Sequence, residues 1–243
     1  MAMERAELRF TDVGENAAGA VRGEDEEPTR AARYNSAMFA GKPIIGIVGG
    51  IGSGKSFVAR LFGELGCLVI NSDEQVTRAY ESPEVRRTLR SWWGKEVFDG
   101  LGNIDRKAIG RRVFHDADER KRLEELLHPI VARMRATQMM QAADDRDILA
   151  YVWDTPLLLE AGLAKECDVI VFVEAPDSMR AARVSATRGW EEAEWSRREK
   201  LQLPLDKKRE LANDIVRNTA GADDVRSQVR EVLSRILAGV TRQ

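Results

Sequence analysis

No regular hydrophobic period is established along the chain before Pro43. Residues 1–41 mix acidic, Gly, Ala and Arg positions, among them the run Gly23-Glu24-Asp25-Glu26-Glu27-Pro28. Neither a helical nor a strand spacing is sustained there, so a mostly disordered extension is expected. From Pro43 the text changes. Ile44, Ile45, Ile47 and Val48 form a short apolar run of the kind a strand buried on both faces requires. A glycine turn follows, then Val58, Leu61, Phe62 and Leu65 at helical spacing, a stop at Gly66, and a second apolar run at Leu68-Val69-Ile70. This is a strand–helix–strand unit, for which a right-handed crossover is expected.

Beyond Asp73 the chain is highly charged and mostly helical as far as Asp147. Leu123, Leu126, Leu127, Ile130, Val131 and Met134 make one apolar stripe in it, interrupted by Pro129, where a kink or a new helix is expected. Strand character returns at Ile148 to Trp153 and Val169 to Val173, and more weakly at Asp214 to Val216, with helical text between. The chain closes on a helical stripe of Val225, Val229, Val232, Leu233, Ile236 and Leu237, ended by Gly239. The pattern predicts an α/β fold with a five-stranded parallel sheet.

Composition narrows the classes. With 243 residues and 43% hydrophobic content the chain can bury a full core. Lys and Arg number 38 against 40 Asp and Glu, a formal charge of −2, so no overall basic field attracts nucleic acid. Cys67 and Cys167 are too few for a disulfide framework and lie beside apolar segments, as small buried hydrophobes in a reducing compartment do. No apolar run reaches the length of a membrane span, and the first residues lack an apolar signal region. A cytoplasmic protein without a membrane partner is expected.

The strongest chemical signal is Gly49-Gly50-Ile51-Gly52-Ser53-Gly54-Lys55-Ser56, which satisfies G-x-x-x-x-G-K-[ST] between a predicted strand and a predicted helix. Such a loop turns successive backbone N–H groups toward phosphate oxygens, aided by the positive end of the helix. Gly50, Ile51, Gly52, Ser53, Gly54, Lys55, Ser56 and Phe57 are therefore the nucleotide-binding candidates, with the side chain of Phe57 read as a packing position. Lys55 is expected on the β- and γ-phosphates, and the Ser56 hydroxyl on a Mg²⁺ ion bridging them. ATP and Mg²⁺ are the implied co-substrate and cofactor. The loop leaves the reaction open, since GTPases, ATPases and small-molecule kinases share it. No N-K-x-D guanine-reading motif and no L-S-G-G-Q transporter signature occurs, and kinases of small molecules remain.

Asn71-Ser72-Asp73 stands at the end of the second strand, on the rim of the sheet that also carries the loop. Two roles fit Asp73 there: a carboxylate that takes the proton of an attacking hydroxyl, or a helix N-cap. Asp154 follows the third strand as a carboxylate organising Mg²⁺ through water does, or is an ordinary strand end. Arg180, Arg183, Arg188, Arg197 and Arg198 lie in a charged helical region that is either a solvated face, as most charge runs are, or a lid supplying cations to phosphate; among them Arg183 and Arg188 are the favoured phosphate contacts. Asn218-Thr219-Ala220-Gly221 is either a loop beside adenine or a plain turn. His128, between Leu127 and Pro129, reads as a structural hydrogen-bonding residue on the apolar stripe.

The loop, followed by Leu65-Gly66-Cys67-Leu68-Val69-Ile70-Asn71-Ser72-Asp73, closely resembles dephospho-CoA kinases, whose members read GGIGSGKS and then LG…VIDAD. Leu126-Leu127-His128-Pro129-Ile130 is similar to that family's LLHP segment, Pro156-Leu157-Leu158-Leu159-Glu160 to its PLL-x-E segment, and Gln202 with Lys208 to its Q…K spacing. The resemblance runs from about Ile44 to Asn218.

It implies a P-loop three-layer fold with a core at residues 42–73 and 148–243, a helical CoA-binding insertion at about 74–147 and a small lid at about 180–205. It also implies transfer of the ATP γ-phosphate to the 3′-hydroxyl of dephospho-CoA, the last step of coenzyme A biosynthesis, with Asp73 as the base. The chain departs from the family at Asn71 and Asn213, where Asp is usual, at Phe57, where Thr is usual, and by one extra residue between Arg183 and Arg188. Two other readings are another small-molecule kinase, for nucleosides or pantothenate-like substrates, and a nucleotide-binding regulator without turnover, motivated by Asn71 and Asn213.

Overall fold

The computed structural model describes residues 38–240. The extension expected over residues 1–41 thus lies outside the described residues as far as residue 37. At its end Phe39 forms an antiparallel bridge with Lys42, and the Phe39 ring meets Tyr151 edge-on at 5.7 Å. In chain order the elements are β1 (Ile44–Val48), α1 (Lys55–Glu64), β2 (Cys67–Asn71), α2 (Ser72–Glu81), α3 (Pro83–Trp93), α4 (Arg106–His115) and α5 (Ala117–Gln141). They continue with β3 (Ala150–Asp154), β4 (Val169–Glu174), α6 (Asp177–Arg188), α7 (Glu192–Glu199), α8 (Leu205–Glu210), β5 (Asp214–Arg217) and α9 (Ala222–Val240). Two compact units result, Asn71–Gln141 and the remainder of the described residues.

The larger unit is a five-stranded sheet in the order β2-β3-β1-β4-β5, and β1 pairs in parallel with both β3 and β4. Every residue of β1 is buried, as its unbroken apolar text requires of a middle strand. Alternation still sorts its side chains. Ile45 and Ile47 join Val152, Val169, Val171, Val173 and Val216 beneath α1 and α9, which contribute Val58, Leu61, Phe62, Val225, Val229, Val232, Leu233 and Ile236. On the opposite face Gly46 lies so close to Cys167, Ile170 and Leu158 that a Cβ there would stand 2.9 Å from each. β5, the edge strand with the weakest apolar signal, keeps one buried residue, Val216. α9 carries the predicted stripe and runs through Gly239 rather than ending at it.

The smaller unit is helical, and its boundaries are written in capping residues. The Ser82 hydroxyl accepts from Val85 N–H with Pro83 as first helical residue, and the Asp105 carboxylate accepts from Lys107 and Ala108 N–H. Val85, Leu89, Trp93, Val97, Ile109, Val113, Leu123, Leu127 and Ile130 fill its core. Pro129 starts no new helix: α5 continues across it to Gln141. Pro129 removes the hydrogen bond to the Glu125 carbonyl, but both residues lie on the exposed side of the helix, while Leu127, Ile130 and Val131 keep the buried face continuous. His128 lies on the exposed side, off the stripe to which its neighbours suggested it belonged. Among the described residues no helix is long and apolar enough to cross a membrane.

Both cysteines are free and buried. Burial pushes the Cys67 thiol up to about 12. Iodoacetamide at pH 8 is therefore expected to leave Cys67 unmodified in the native protein and to alkylate it after urea unfolding, read by peptide mass. Native-state alkylation of Cys67 would contradict the packing of β2 against the core.

Candidate active site

The chain leaves β1 at its carboxyl edge with β3 on one side and β4 on the other. That is the crevice where open parallel sheets bind ligands, because the connections diverge there. α1 opens immediately after the loop and has no acidic residue in its first turn, so no carboxylate of that turn offsets its positive end. Gly54 caps the helix at φ 94°, in the left-handed region, and a Cβ on it would overlap the Asn218 amide. Backbone, helix end and neighbouring side chain thus allow only glycine at that position.

Several side chains hold the loop. The Lys55 ammonium donates to the Gly49 and Gly50 carbonyls at 3.0 Å each. Asn218, buried just beyond β5, donates from Nδ2 to the Ser53 carbonyl at 2.8 Å, and Arg183 donates to the Asn218 carbonyl at 2.9 Å and to Ser53 O at 3.4 Å. Asn218 is therefore a loop support rather than part of a plain turn. Ile51 is buried with Val184 and Trp195, and its N–H donates to Glu199 Oε2 at 2.9 Å. Ser56 is exposed in the first turn of α1. Phe57 packs against the main core with the Arg60 guanidinium 5.4 Å from its ring centre, in keeping with a packing position.

At the end of β2 the cap is Asn71, not Asp73. Asn71 Oδ1 accepts from Glu74 N–H at 3.1 Å, and Asp73 follows as an exposed residue of the first turn. Asn and Asp cap about equally well, so the change at Asn71 preserves the helix start. Asn213 serves the backbone in a comparable way, since its Oδ1 accepts from Ile170 N–H at 2.7 Å and so fastens β5 to β4. Asp214, the neighbouring carboxylate, is engaged by Arg235 of α9 at 2.8 Å. Asp154, the last residue of β3, is 5% exposed beside the strand that feeds the loop.

Glu160, Gln202 and Lys208, the residues brought in by the family resemblance, meet in one largely buried network. Lys208, its side chain 2% exposed, reaches Glu160 Oε1 at 2.8 Å and Gln202 Oε1 at 3.0 Å, and Glu160 also accepts from Leu203 N–H at 3.0 Å. The network ties the segment after α7 and the start of α8 to the turn after β3.

A dephospho-CoA kinase family model matches residues 43–224. The chain belongs to the dephospho-CoA kinase family. A dephospho-CoA kinase of Geobacter metallireducens is 34% identical over 187 residues, 76% of this chain and 92% of the relative. One of a Synechococcus species is 36% identical over 191 residues, covering 78% and 94%. Among solved structures, TT1252 of Thermus thermophilus superposes with a TM-score of 0.70 at 33% identity, covering 80% of this chain and 98% of that one. The Campylobacter jejuni dephospho-CoA kinase shares the fold, with a TM-score of 0.60 at 24% identity over 82% and 98%. The PLL-x-E and Q…K blocks that resemble the family are thus given a physical reason here by the Glu160–Gln202–Lys208 network.

The arginines divide by environment. Arg183 stands on the phosphate loop. Arg188 is exposed at the end of α6, its guanidinium 5.1 Å from the Trp190 ring centre, with Arg198 4.1 Å from the same ring. Arg197 and Arg198 both bind Glu194 and hold its carboxyl below the usual range. Arg180 is buried against Glu199 and Asp177. Sequence reasoning passed over Glu199, Trp190 and Trp195, which carry no motif. Replacing Lys208 by Met leaves the partly buried Glu160 carboxylate without its buried cation, and a loss of roughly 3 kcal/mol in unfolding free energy is expected. Urea melts of Lys208→Met against Lys208→Met/Glu160→Leu check this: the double variant should regain most of the loss, and an unchanged single variant would contradict the network.

Proposed function

We propose that this chain transfers the γ-phosphate of ATP to the 3′-hydroxyl of dephospho-CoA, forming CoA and ADP. The observation that carries the reading is a complete phosphate loop, held at the divergence of the sheet, in a chain of this family. Loop amides, apart from the Ile51 N–H that Glu199 holds, and the Lys55 ammonium bind the triphosphate. Lys55 already bridges the Gly49 and Gly50 carbonyls, so exchanging these for β- and γ-phosphate oxygens needs only a side-chain movement. Asp73 accepts the 3′-hydroxyl proton as that oxygen attacks γ-phosphorus. The bond from phosphorus to the β–γ bridging oxygen breaks, and ADP takes that electron pair. Arg183 steadies the nucleotide side of the loop, and Arg188 joins it from a lid over residues 180–205 by leaving the Trp190 ring. The helical residues 74–147 are assigned to the CoA end of the substrate.

The donors fit a hard divalent ion held mainly through phosphate: one exposed hydroxyl, Ser56, and one buried strand-end carboxylate, Asp154. Ser56 would ligate Mg²⁺ directly and Asp154 through water, and the ion would neutralise charge on the β- and γ-phosphate oxygens. Asn71 and Asn213, the features that favoured a turnover-free regulator, both hold backbone N–H groups locally, which an amide oxygen does well.

Mass detection of CoA with parallel measurement of ADP tests the reading. CoA formation dependent on dephospho-CoA is expected, abolished by EDTA and restored by Mg²⁺. In Asp73→Asn, kcat should fall about 10²- to 10³-fold while KM for ATP stays within about twofold. Tight ATP binding with no product from the wild-type chain would overturn the kinase assignment, and full kcat in Asp73→Asn would remove Asp73 as the base.

A further inference from the structure

Phosphoryl transfer as derived for Lys55, Asp73 and Arg183 uses neither Arg180 nor Glu199, yet both are pressed against the phosphate loop. Ile51 N–H donates to Glu199 Oε2 at 2.9 Å, and the Ile51 carbonyl accepts from Arg180 Nη1 and from Trp195 Nε1, each at 3.2 Å. Arg180 Nη1 also pairs with Glu199 Oε1, and Nη2 with Asp177 at 2.8 Å. The Arg180 guanidinium lies 5.0 Å from the Trp195 ring centre. A Cβ on Gly50 would stand 2.7 Å from Glu199 Oε1 and overlap Arg180 Nη1, so the pair touches loop backbone directly.

The side chain of Arg180 is 2% exposed and that of Glu199 18%. A buried ion pair gives little net stability, because desolvation offsets its attraction and an apolar pair of similar volume does as well. Its placement suggests a different role. The Ile51 N–H belongs to the peptide plane shared with Gly50, and the Ile51 carbonyl to the plane shared with Gly52. One ion pair therefore orients two successive planes of a loop whose work is done by oriented peptides. A binding surface fixed in advance avoids the ordering cost that a slack loop incurs when its ligand arrives.

We propose that Arg180 and Glu199 are positioning residues for phosphoryl transfer: they preset the peptide planes on either side of Ile51 and fasten α7 to the phosphate loop. The inference rests on the kinase reading. It assigns Arg180 to shaping the loop rather than to touching phosphate, and Glu199 to a role no motif announces. A carboxylate on a loop amide also permits the opposite role, an internal anion that phosphate must displace, and the two differ in the sign of their effect on affinity.

The test is calorimetric titration with Mg-ADP, together with KM for ATP, KM for dephospho-CoA and kcat, on the full chain. Arg180→Met/Glu199→Met removes both charges at once and is expected to keep its melting midpoint near that of wild type. Its Mg-ADP affinity should fall about tenfold and KM for ATP rise in step, with KM for dephospho-CoA within about twofold. Glu199→Gln, which keeps an oxygen for the Ile51 N–H, should lose about threefold and decides the matter on the same readout if the double variant does not fold. Unchanged Mg-ADP affinity would reduce the pair to packing, and tighter binding would make Glu199 a competitor of phosphate; either result overturns the proposal. Failure of the wild-type chain to bind Mg-ADP would instead overturn the kinase reading beneath it.

Discussion

A site made of peptide N–H groups works only if the backbone is held with those groups turned inward, and that constraint organises the larger unit of this protein. The loop has few side chains of its own with which to hold itself. Its neighbours do so: β1 between β3 and β4 fixes where it starts, and α1 fixes where it ends. Asn218 and Arg183 grip the Ser53 carbonyl, and Glu199 and Arg180 grip the two ends of Ile51. Glycine at 54 lets the loop turn close against these supports without a clashing Cβ.

Much of the fold was legible because its signals are local. The run Ile44 to Val48 became a strand buried along its whole length, and the closing stripe from Val225 to Leu237 became a helix on the same core. The loop motif was read with its strand and helix in place. What escaped sequence reasoning was decided by tertiary placement. Pro129 carried a real local cost, but it falls with Glu125 on the exposed side of α5, so the apolar stripe prevailed. Glu199 lies 148 residues from Ile51, and nothing in a charged helical text distinguishes it from its solvated neighbours. The role of Asn71 did have a signal: Asn followed three residues later by Glu74, at the end of an apolar run, is the spacing of a helix start.

The departures from the family pattern are informative for the same reason. At Asn71 and Asn213 the group that matters locally is a carbonyl-type oxygen accepting a backbone N–H, and an amide supplies it without the charge of a carboxylate. By contrast, Glu160, Gln202 and Lys208 conform to the family pattern, and the charge of Glu160 is needed because the Lys208 ammonium is buried, with the neutral Gln202 amide oxygen accepting a second of its hydrogen bonds. The same frame therefore tolerates neutral substitutions where the partner is an amide and depends on ionic ones where the partner is an ammonium.

Gly54→Ala tests most directly whether function rests on a backbone held in one shape, because it adds a single methyl group and no charge. Mg-ADP affinity of this variant is to be measured by calorimetry beside Gly110→Ala, a change on α4 where an added Cβ meets nothing within 4 Å. Gly54→Ala is expected to keep a folded circular-dichroism spectrum with affinity lowered by at least about tenfold, from left-handed strain and the clash with Asn218, while Gly110→Ala keeps wild-type affinity. Wild-type affinity in a folded Gly54→Ala would contradict a site built on a fixed backbone.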